Sequence, residues 1–366
     1  MSFLDDFLAL KPPLQAALAT GILSALTALV MAFVTLCMQK RLAASNADQQ
    51  RQLEQLKASL LDETASRTAR RSYEYDMRKR LYAECEPIFF QLSEASDLAL
   101  RECRDLARWK ACLELEPKRE NTDAQTGPWM LTNSSKLVAS LYALLAPLAL
   151  YVLLRSRLTT VDCALDNWLF LRFRMARELY DVFQNDAAIA ACEPALEYDP
   201  LVKEWRQKRI ELPSVHWWQG LSPGRLDRAV RLLITEDGGT SRLLTFGEFE
   251  DVYTAAYAGG KIEHQKILGL AANALYGFTP FKRPVFWRLI MVQVHLHHAI
   301  RRPAPHNVGE LLTSPAAIRE YMRLESYDAY DWRRHWPDRE AGRYDKDANE
   351  IALDYIVNRL CPPSAS

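Results

Sequence analysis

The stretch LQAALATGILSALTALVMAFVTLCM, residues 14–38, holds 25 consecutive residues without a charged side chain. A helix rises about 1.5 Å per residue, so roughly 20 apolar residues cross the hydrocarbon core of a bilayer. Pro12 and Pro13 precede the stretch, where a helix tolerates a missing amide proton in its first turn. The sequence therefore predicts a transmembrane helix at 14–38, after a short N-terminal tail at 1–13.

A cleaved signal peptide is the competing interpretation of this stretch. It would need a basic leader, a shorter apolar core and a small-residue cleavage site. Here the leader carries Asp5 and Asp6, and Lys40 and Arg41 follow the apolar run directly. The pattern favours an uncleaved anchor.

The flanking charges predict the orientation of that anchor. Lys40 and Arg41 lie at its C-terminal end, whereas Lys11 at the other end is offset by Asp5 and Asp6. The positive-inside rule then places the long C-terminal part in the cytoplasm. The seven cysteines have no framework spacing and are interpreted as reduced thiols, which agrees with that compartment.

Two segments of this N-terminal region could pair with a second copy. Within the span, Ala17, Gly21 and Ala25 recur every four residues, and small residues at that spacing let membrane helices approach closely. Residues 39–71 form a polar, basic helical stalk. Its leucines follow the spacing of a coiled-coil seam, with two polar residues inside it: Leu42, Asn46, Gln49, Leu53, Leu56 and Leu60. A short, weak coiled coil and a single solvated helix both fit the stalk.

Composition bounds the remainder of the chain. The 366 residues carry 46 basic and 46 acidic side chains, and this balance argues against broad nucleic-acid binding. Only 13 glycines and little strict alternation predict an all-α fold. We expect a long helix or helix pair over 72–120, kinked at Pro87, then a globular helical domain over 121–361 and a tail at 362–366.

A second apolar run, residues 137–154, has 18 uncharged residues, the lower limit for a span. A second crossing would put Arg155 and Arg157 just outside the membrane, against the charge rule. The run also contains Pro147 and several polar groups. We predict a buried central helix of the globular domain, with a membrane hairpin as the alternative.

His295 and His298 form the densest candidate metal site. They are three residues apart, so a helix would place both on one side. The further ligands that a metal needs are not fixed by local spacing, although His306 or His335 could supply one. The alternative is a helix end with packed or hydrogen-bonded imidazoles.

Asp162 and Asp166 are a candidate carboxylate pair. On a helix they would share a face beside Arg172 and Arg174, where they could bind a divalent ion or act as acid and base. Carboxylates at a helix start more often interact with the helix dipole or form surface ion pairs.

Two further patterns each have a functional and a structural interpretation. Trp205, His216, Trp217 and Trp218 could line a ligand pocket or partner surface, or fill the core. An EF-hand centred on Gly238 would place leucines at its first and last ligand positions, so we interpret that stretch as a helix–turn–helix connection. No phosphate-binding loop, nucleophile elbow or zinc-protease motif occurs.

These features predict a membrane-anchored cytoplasmic α-helical module that binds a protein partner and signals or scaffolds at the membrane. Its expected partners are the lipid bilayer, another protein and a second copy of itself, with no cofactor and no specific nucleic-acid binding. The sequence favours a non-enzymatic role and leaves an enzyme open. One alternative is a membrane-tethered, metal-dependent hydrolase or nuclease that uses His295 and His298. Another is a two-span effector that disturbs the membrane, with 137–154 as its second span.

Overall fold

A computed structural model describes residues 12–108, 115, 134–158, 163–193, 195–196, 219–257, 262–275, 278–280, 283–334 and 348–361. Helices make up 82% of these residues and strands 3%. The predicted all-α fold is therefore confirmed.

The elements are given in chain order. The helices are α1 (Pro12–Leu106), α2 (Ser134–Arg157), α3 (Asn167–Val182), α4 (Asp186–Ala190), α5 (Pro223–Arg231), α6 (Phe246–Tyr257), α7 (Ile262–Leu275), α8 (Pro284–Arg301), α9 (Val308–Thr313), α10 (Pro315–Met322) and α11 (Ala348–Leu360). Two strands, β1 (Ile234–Asp237) and β2 (Thr240–Leu243), lie between α5 and α6. Short 3₁₀ turns occur at Cys163–Leu165, Asp328–Tyr330 and Trp332–Arg334.

Helix α1 is a single helix of 95 residues that continues through Pro87. It therefore contains the stretches that the sequence assigned separately to span, stalk and following helix. The chain divides into two compact units, Met1–Tyr75 and Asp76–Ser366. The domain boundary that the sequence suggested near Asn121 lies outside the described residues.

The core of the second unit is built on two apolar helices. In α8, 16 of 18 residues are buried, and 94% of the apolar window of α2 is buried. Helix α3 packs against both, and α8 also packs against α4, α10 and α11. A helix that is apolar on all sides is stable only when it is enclosed. The burial of α2 favours the predicted central helix over a second membrane span.

Part of α1 belongs to this second unit and buries one face there. Leu81, Cys85, Phe89 and Leu92 follow helical spacing, and each is at most 1% exposed. The Arg172 guanidinium of α3 lies 4.4 Å from the Phe89 ring centroid and donates to the Phe89 carbonyl at 3.1 Å. These contacts join the end of α1 to α3.

The connection between α5 and α6 contains a β-hairpin, so the predicted helix–turn–helix connection is wrong. Strand β1 pairs antiparallel with β2, with Asp237 opposite Thr240. Gly238 (φ 56°) and Gly239 (φ 80°) form the two-residue turn between them. Positive φ at both positions is the geometry of a type I′ turn, whose twist matches that of paired strands.

Candidate functional site

Helix α8 carries the histidines that the sequence singled out. Pro284 occupies its first turn, where the missing amide proton costs nothing, and an apolar run follows. His295 and His297 are fully buried, whereas His298 is partly exposed. Because 295 and 297 are two residues apart, they face different neighbours.

His295 joins three helices. Its Nδ1 lies 2.9 Å from the Met322 carbonyl oxygen of α10, and its Nε2 lies 2.9 Å from Asn349 Oδ1 of α11. Burial lowers the pKa of His295 to about 4, so the ring is neutral at pH 7 and carries one N–H. Nδ1 carries that N–H where it donates to the Met322 carbonyl oxygen, because a carbonyl oxygen can only accept. Both ring nitrogens are occupied by protein groups.

His297 bonds to α1 through its Nδ1, which lies 2.9 Å from the Ser96 hydroxyl. Burial lowers its pKa to about 3. Its Nε2 is buried and has no hydrogen-bond partner among the described residues. A serine beside a histidine can be an activated nucleophile, but Ser96 is 0% exposed, so no substrate can reach it. This pair is a contact within the core.

The predicted metal site lacks a set of ligands in the described part of the chain. No group of three or more His, Cys, Asp or Glu residues lies close enough there to hold a metal ion. His298 is three residues from His295, and burial together with the Arg302 charge lowers its pKa. His335 lies outside the described residues.

Asp166 lies just before the first turn of α3 and not on a face inside that helix. It precedes α3 as the N-cap, accepting from the Trp168 and Leu169 amides at 2.9 and 3.0 Å. Burial alone would raise its pKa, but the Tyr82 hydroxyl at 2.6 Å and the two amides lower it. The same hydrogen bond raises the pKa of Tyr82 to about 12. Asp162 lies outside the described residues.

A buried carboxylate that the sequence reasoning missed joins α3 to α11. Glu178 is 0% exposed and accepts from Arg359 Nε at 2.9 Å. Arg177 approaches the other carboxylate oxygen at 3.5 Å, and Asp181 lies 3.4 Å from Arg359. Glu178 follows Met175 and precedes Leu179 on the buried side of α3. In the sequence, a glutamate on the apolar face of a predicted helix could have indicated a buried ion pair.

A second polar cluster holds the chain around Gly220. The Gly220 amide donates to Asp186 at 2.9 Å, and the Leu221 amide donates to the Phe183 carbonyl at 2.8 Å. A Cβ on Gly220 would lie 2.3 Å from that carbonyl oxygen. Only glycine allows such a close approach.

The neighbouring polar groups complete this cluster at helix ends. Gln219 accepts from the Phe286 amide at 2.8 Å in the first turn of α8. Arg288, which is 0% exposed, donates to the Ile189 carbonyl at 2.8 Å near the end of α4. A cation at a helix C-terminus is favoured by the helix dipole. The predicted aromatic group Trp205, His216, Trp217 and Trp218 lies outside the described residues.

One pocket among the described residues is a small apolar cavity of about 20 Å³. Leu141, Leu145, Ala271 and Phe286 are among its lining side chains. The volume suits about one water molecule, and an apolar lining gives a water no partners. This cavity is therefore too small and too apolar to bind a substrate.

The buried thiols are poor nucleophiles. Burial raises the pKa of Cys85 to about 11, and it raises that of the fully buried Cys103 further. Since the thiolate is the reactive species, neither position suits covalent catalysis.

Most of the exposed large apolar side chains among the described residues belong to the first unit. Every side chain described from Ala16 to Tyr73 is exposed, including the whole apolar window of α1. By length and composition, two helices in the described chain could cross a membrane, α1 and α2. A buried core helix passes the same test, and α2 is such a helix; α1 is 0% buried in its apolar window.

The second unit has a smaller exposed apolar strip on α1. Ala83, Pro87 and Phe90 lie on one face, and Phe90 is 64% exposed; the exposed Glu94 separates them from Leu98 on the same face. Exposed aromatic side chains are typical anchors in protein interfaces.

Comparison of the chain with protein-family models, curated proteins and solved structures finds no match. Any assignment of function therefore rests on the chemistry of its own residues.

Proposed function

We propose that the chain is a membrane-anchored helical module whose C-terminal part lies in the cytoplasm and binds a protein partner at the membrane. The observation that carries this proposal is the exposed, uncharged surface of α1 over residues 14–38. Soluble monomers rarely expose apolar patches larger than a few hundred Å². A lipid environment removes the cost of that exposure.

The orientation rests on charge. Lys40 and Arg41 follow the apolar segment directly and are exposed on α1. Moving them to the outer face would oppose the positive-inside rule.

A binding role fits the second unit better than catalysis does. The groups at the candidate sites, among them His295, His297 and Glu178, are buried and engaged in contacts within the fold. The exposed strip around Phe90 offers an apolar surface for a partner. Because α1 is continuous, it can connect an event at the membrane to that surface.

The anchor is tested with two leucines of nearly equal exposure, Leu29 (72%) and Leu61 (71%). An arginine in the centre of a span costs about 2.5–3.5 kcal/mol, which is roughly a hundredfold in the insertion equilibrium. We expect Leu29→Arg to shift protein from the carbonate-resistant membrane fraction to the extractable fraction. Leu61→Arg, the matched control, should leave it in place. Equal behaviour of the two variants would refute the anchor.

Orientation and partner binding need separate measurements. A reporter fused after Ser366 should be active only in the cytoplasm, and activity outside would refute the topology. A photo-crosslinking residue at Phe90 should give one discrete adduct in native membranes, with less at Gln91 on the adjacent side. A ladder of equal adducts at both positions would refute a specific partner surface. Metal is better measured by native mass spectrometry than by His295→Ala, since His295 supports the fold.

A further inference from the structure

The stalk exposes leucines that nothing in the described chain covers. Leu53, Leu56 and Leu60 are 57%, 59% and 53% exposed, although the residues around them are mostly polar. Their spacing of three and four residues defines a seven-residue repeat, and Leu42 occupies the same repeat. Such a face in water gains free energy when another apolar face covers it.

The repeat continues without a break into the apolar segment, because α1 has no interruption between them. We define the seam as the positions of this repeat: Leu18, Gly21, Ala25, Ala28, Ala32, Thr35, Gln39, Leu42, Asn46, Gln49, Leu53, Leu56 and Leu60. Between residues 21 and 35 all five seam positions are Gly, Ala or Thr, whereas eight of the ten other positions carry bulky apolar side chains. Abundant alanine alone would not separate small and bulky residues by face.

Each half of the seam has the residue type that its surroundings require. In lipid, contact between leucines replaces equally apolar contact with acyl chains, so helices associate through small residues that bring backbones together. In water, burial of leucine is itself favourable. A spacing of 3.5 residues along both halves corresponds to one left-handed supercoil.

The charges around the seam indicate what covers it. In a parallel pair of identical helices every seam residue meets its own copy, so a charged residue there would meet a like charge. Residues 39–62 include seven charged side chains, none of them at a seam position. Six lie on the outer positions of the repeat, and only Lys57 flanks the seam. Asn46 can hydrogen-bond to its own copy, which is how a seam asparagine fixes a two-stranded register.

We propose that the seam pairs α1 in parallel with α1 of a second copy of this chain, so that the protein is a homodimer joined through the stalk and the apolar segment together. The stalk half of this contact is independent of the membrane. The half between residues 18 and 35 rests on the proposed membrane anchor.

A disulfide scan of the full-length chain in its native membrane tests the register. The Cys37→Ser protein, which keeps six native cysteines, gives the baseline of cross-linking. In this background one cysteine at a time replaces seam residue Leu53 or Leu56, or the off-seam control Gln55 or Ala58. We expect mild oxidation to give at least about five times more cross-linked dimer at the seam positions than at the controls. Equal cross-linking at all four positions, or stronger cross-linking at the controls, would overturn the seam. An antiparallel pair would bring residue 53 opposite a different residue and would also fail this test.

The membrane half is tested by adding bulk. Ala28→Leu places a leucine side chain in the seam. Thr27→Leu, the control, places a leucine side chain on the adjacent outer face. The readout is the mass of the gently extracted protein, expected at twice the 41.9 kDa of one chain. Ala28→Leu should lower the dimer fraction several-fold, and Thr27→Leu should not. A wild-type mass of one chain would overturn the proposal.

Membrane extraction of the same samples separates the two proposals. Protein that stays in the membrane as a monomer would refute the seam and leave the anchor standing. A dimer that is released as soluble protein would refute the anchor, and with it the membrane half of the seam.

Discussion

Replacement of Gly220 by alanine should be among the most destabilising small substitutions in the second unit. The new Cβ would lie 2.3 Å from the Phe183 carbonyl oxygen and 3.0 Å from an Asp186 carboxylate oxygen. To remove this overlap, the backbone at residue 220 must move roughly 1 Å away from the Phe183 carbonyl oxygen. That movement breaks the 2.8 Å hydrogen bond from the Leu221 amide to the same oxygen.

The magnitude follows from those two contacts. Overpacking costs about 1–3 kcal/mol, and a buried carbonyl left without its donor costs about 1–3 kcal/mol more. We take about 3 kcal/mol as the expected loss in the free energy of unfolding. The second unit, 76–366, has an unfolding entropy of roughly 0.6 kcal/mol/K, so its Tm should fall by about 5 °C.

The assay is thermal unfolding of the full-length protein in detergent, followed by circular dichroism. Gly224→Ala is the matched control, because no atom lies within 4 Å of its added Cβ and the position is inside helix α5. The control should raise stability by about 0.5–1 kcal/mol. A Gly220→Ala protein with a wild-type Tm would refute the close approach and the reasoning built on it.

Three further predictions concern stability. Because folding lowers the pKa values of His295 and His297, the unfolded chain binds protons at a higher pH than the folded chain does. The free energy of unfolding should therefore be constant above about pH 6.5 and should decrease as the pH falls toward 4. The decrease is up to about 1.4 kcal/mol per pH unit for each histidine. Denaturant unfolding at several pH values checks this, and a flat profile would contradict neutral, buried rings. Glu178→Gln should lower the free energy of unfolding, measured with denaturant, by about 3 kcal/mol, because it removes the charge from a buried ion pair. Asp181→Asn, in the same network but more exposed, should lower it less. Equal decreases for the two variants would contradict the role of burial. Gly238→Asn should be nearly neutral and Gly238→Val should cost about 1–2 kcal/mol, because φ is 56° there; similar Tm values for the two variants would argue against the turn.

Much of the helical architecture could be predicted from local pattern. The apolar runs at 14–38 and 137–154 are both helical, and the second is buried as expected. Helices form through hydrogen bonds four residues apart, so their signals lie within a short window. Pro223 and Pro284 mark helix starts for the same reason.

The errors came from competing local signals. The two glycines at 238 and 239 were interpreted as a turn between helices, although a two-residue glycine loop is also a hairpin signal. The sequence placed Asp166 on a helix face, yet α3 begins at Asn167 with Asp166 as its N-cap.

The candidate site illustrates what the sequence cannot supply. His295 and His298 have metal-ligand spacing, but the partners of His295 are 27 and 54 residues away, at Met322 and Asn349. Glu178 pairs with Arg359, which lies 181 residues away in the chain. Such contacts are decided by the packing of helices that are distant in the chain, and spacing along one helix carries no information about them.

By itself, the sequence determined an all-α chain with an apolar, uncharged N-terminal run and a polar helical segment after it, because helix formation and amphipathic spacing are local properties. Only the tertiary structure decided that α2 is enclosed while the 14–38 segment of α1 is uncovered, and that the α8 histidines serve the fold. Burial depends on which surfaces meet, and α8 is enclosed by helices drawn from residues 167 to 360.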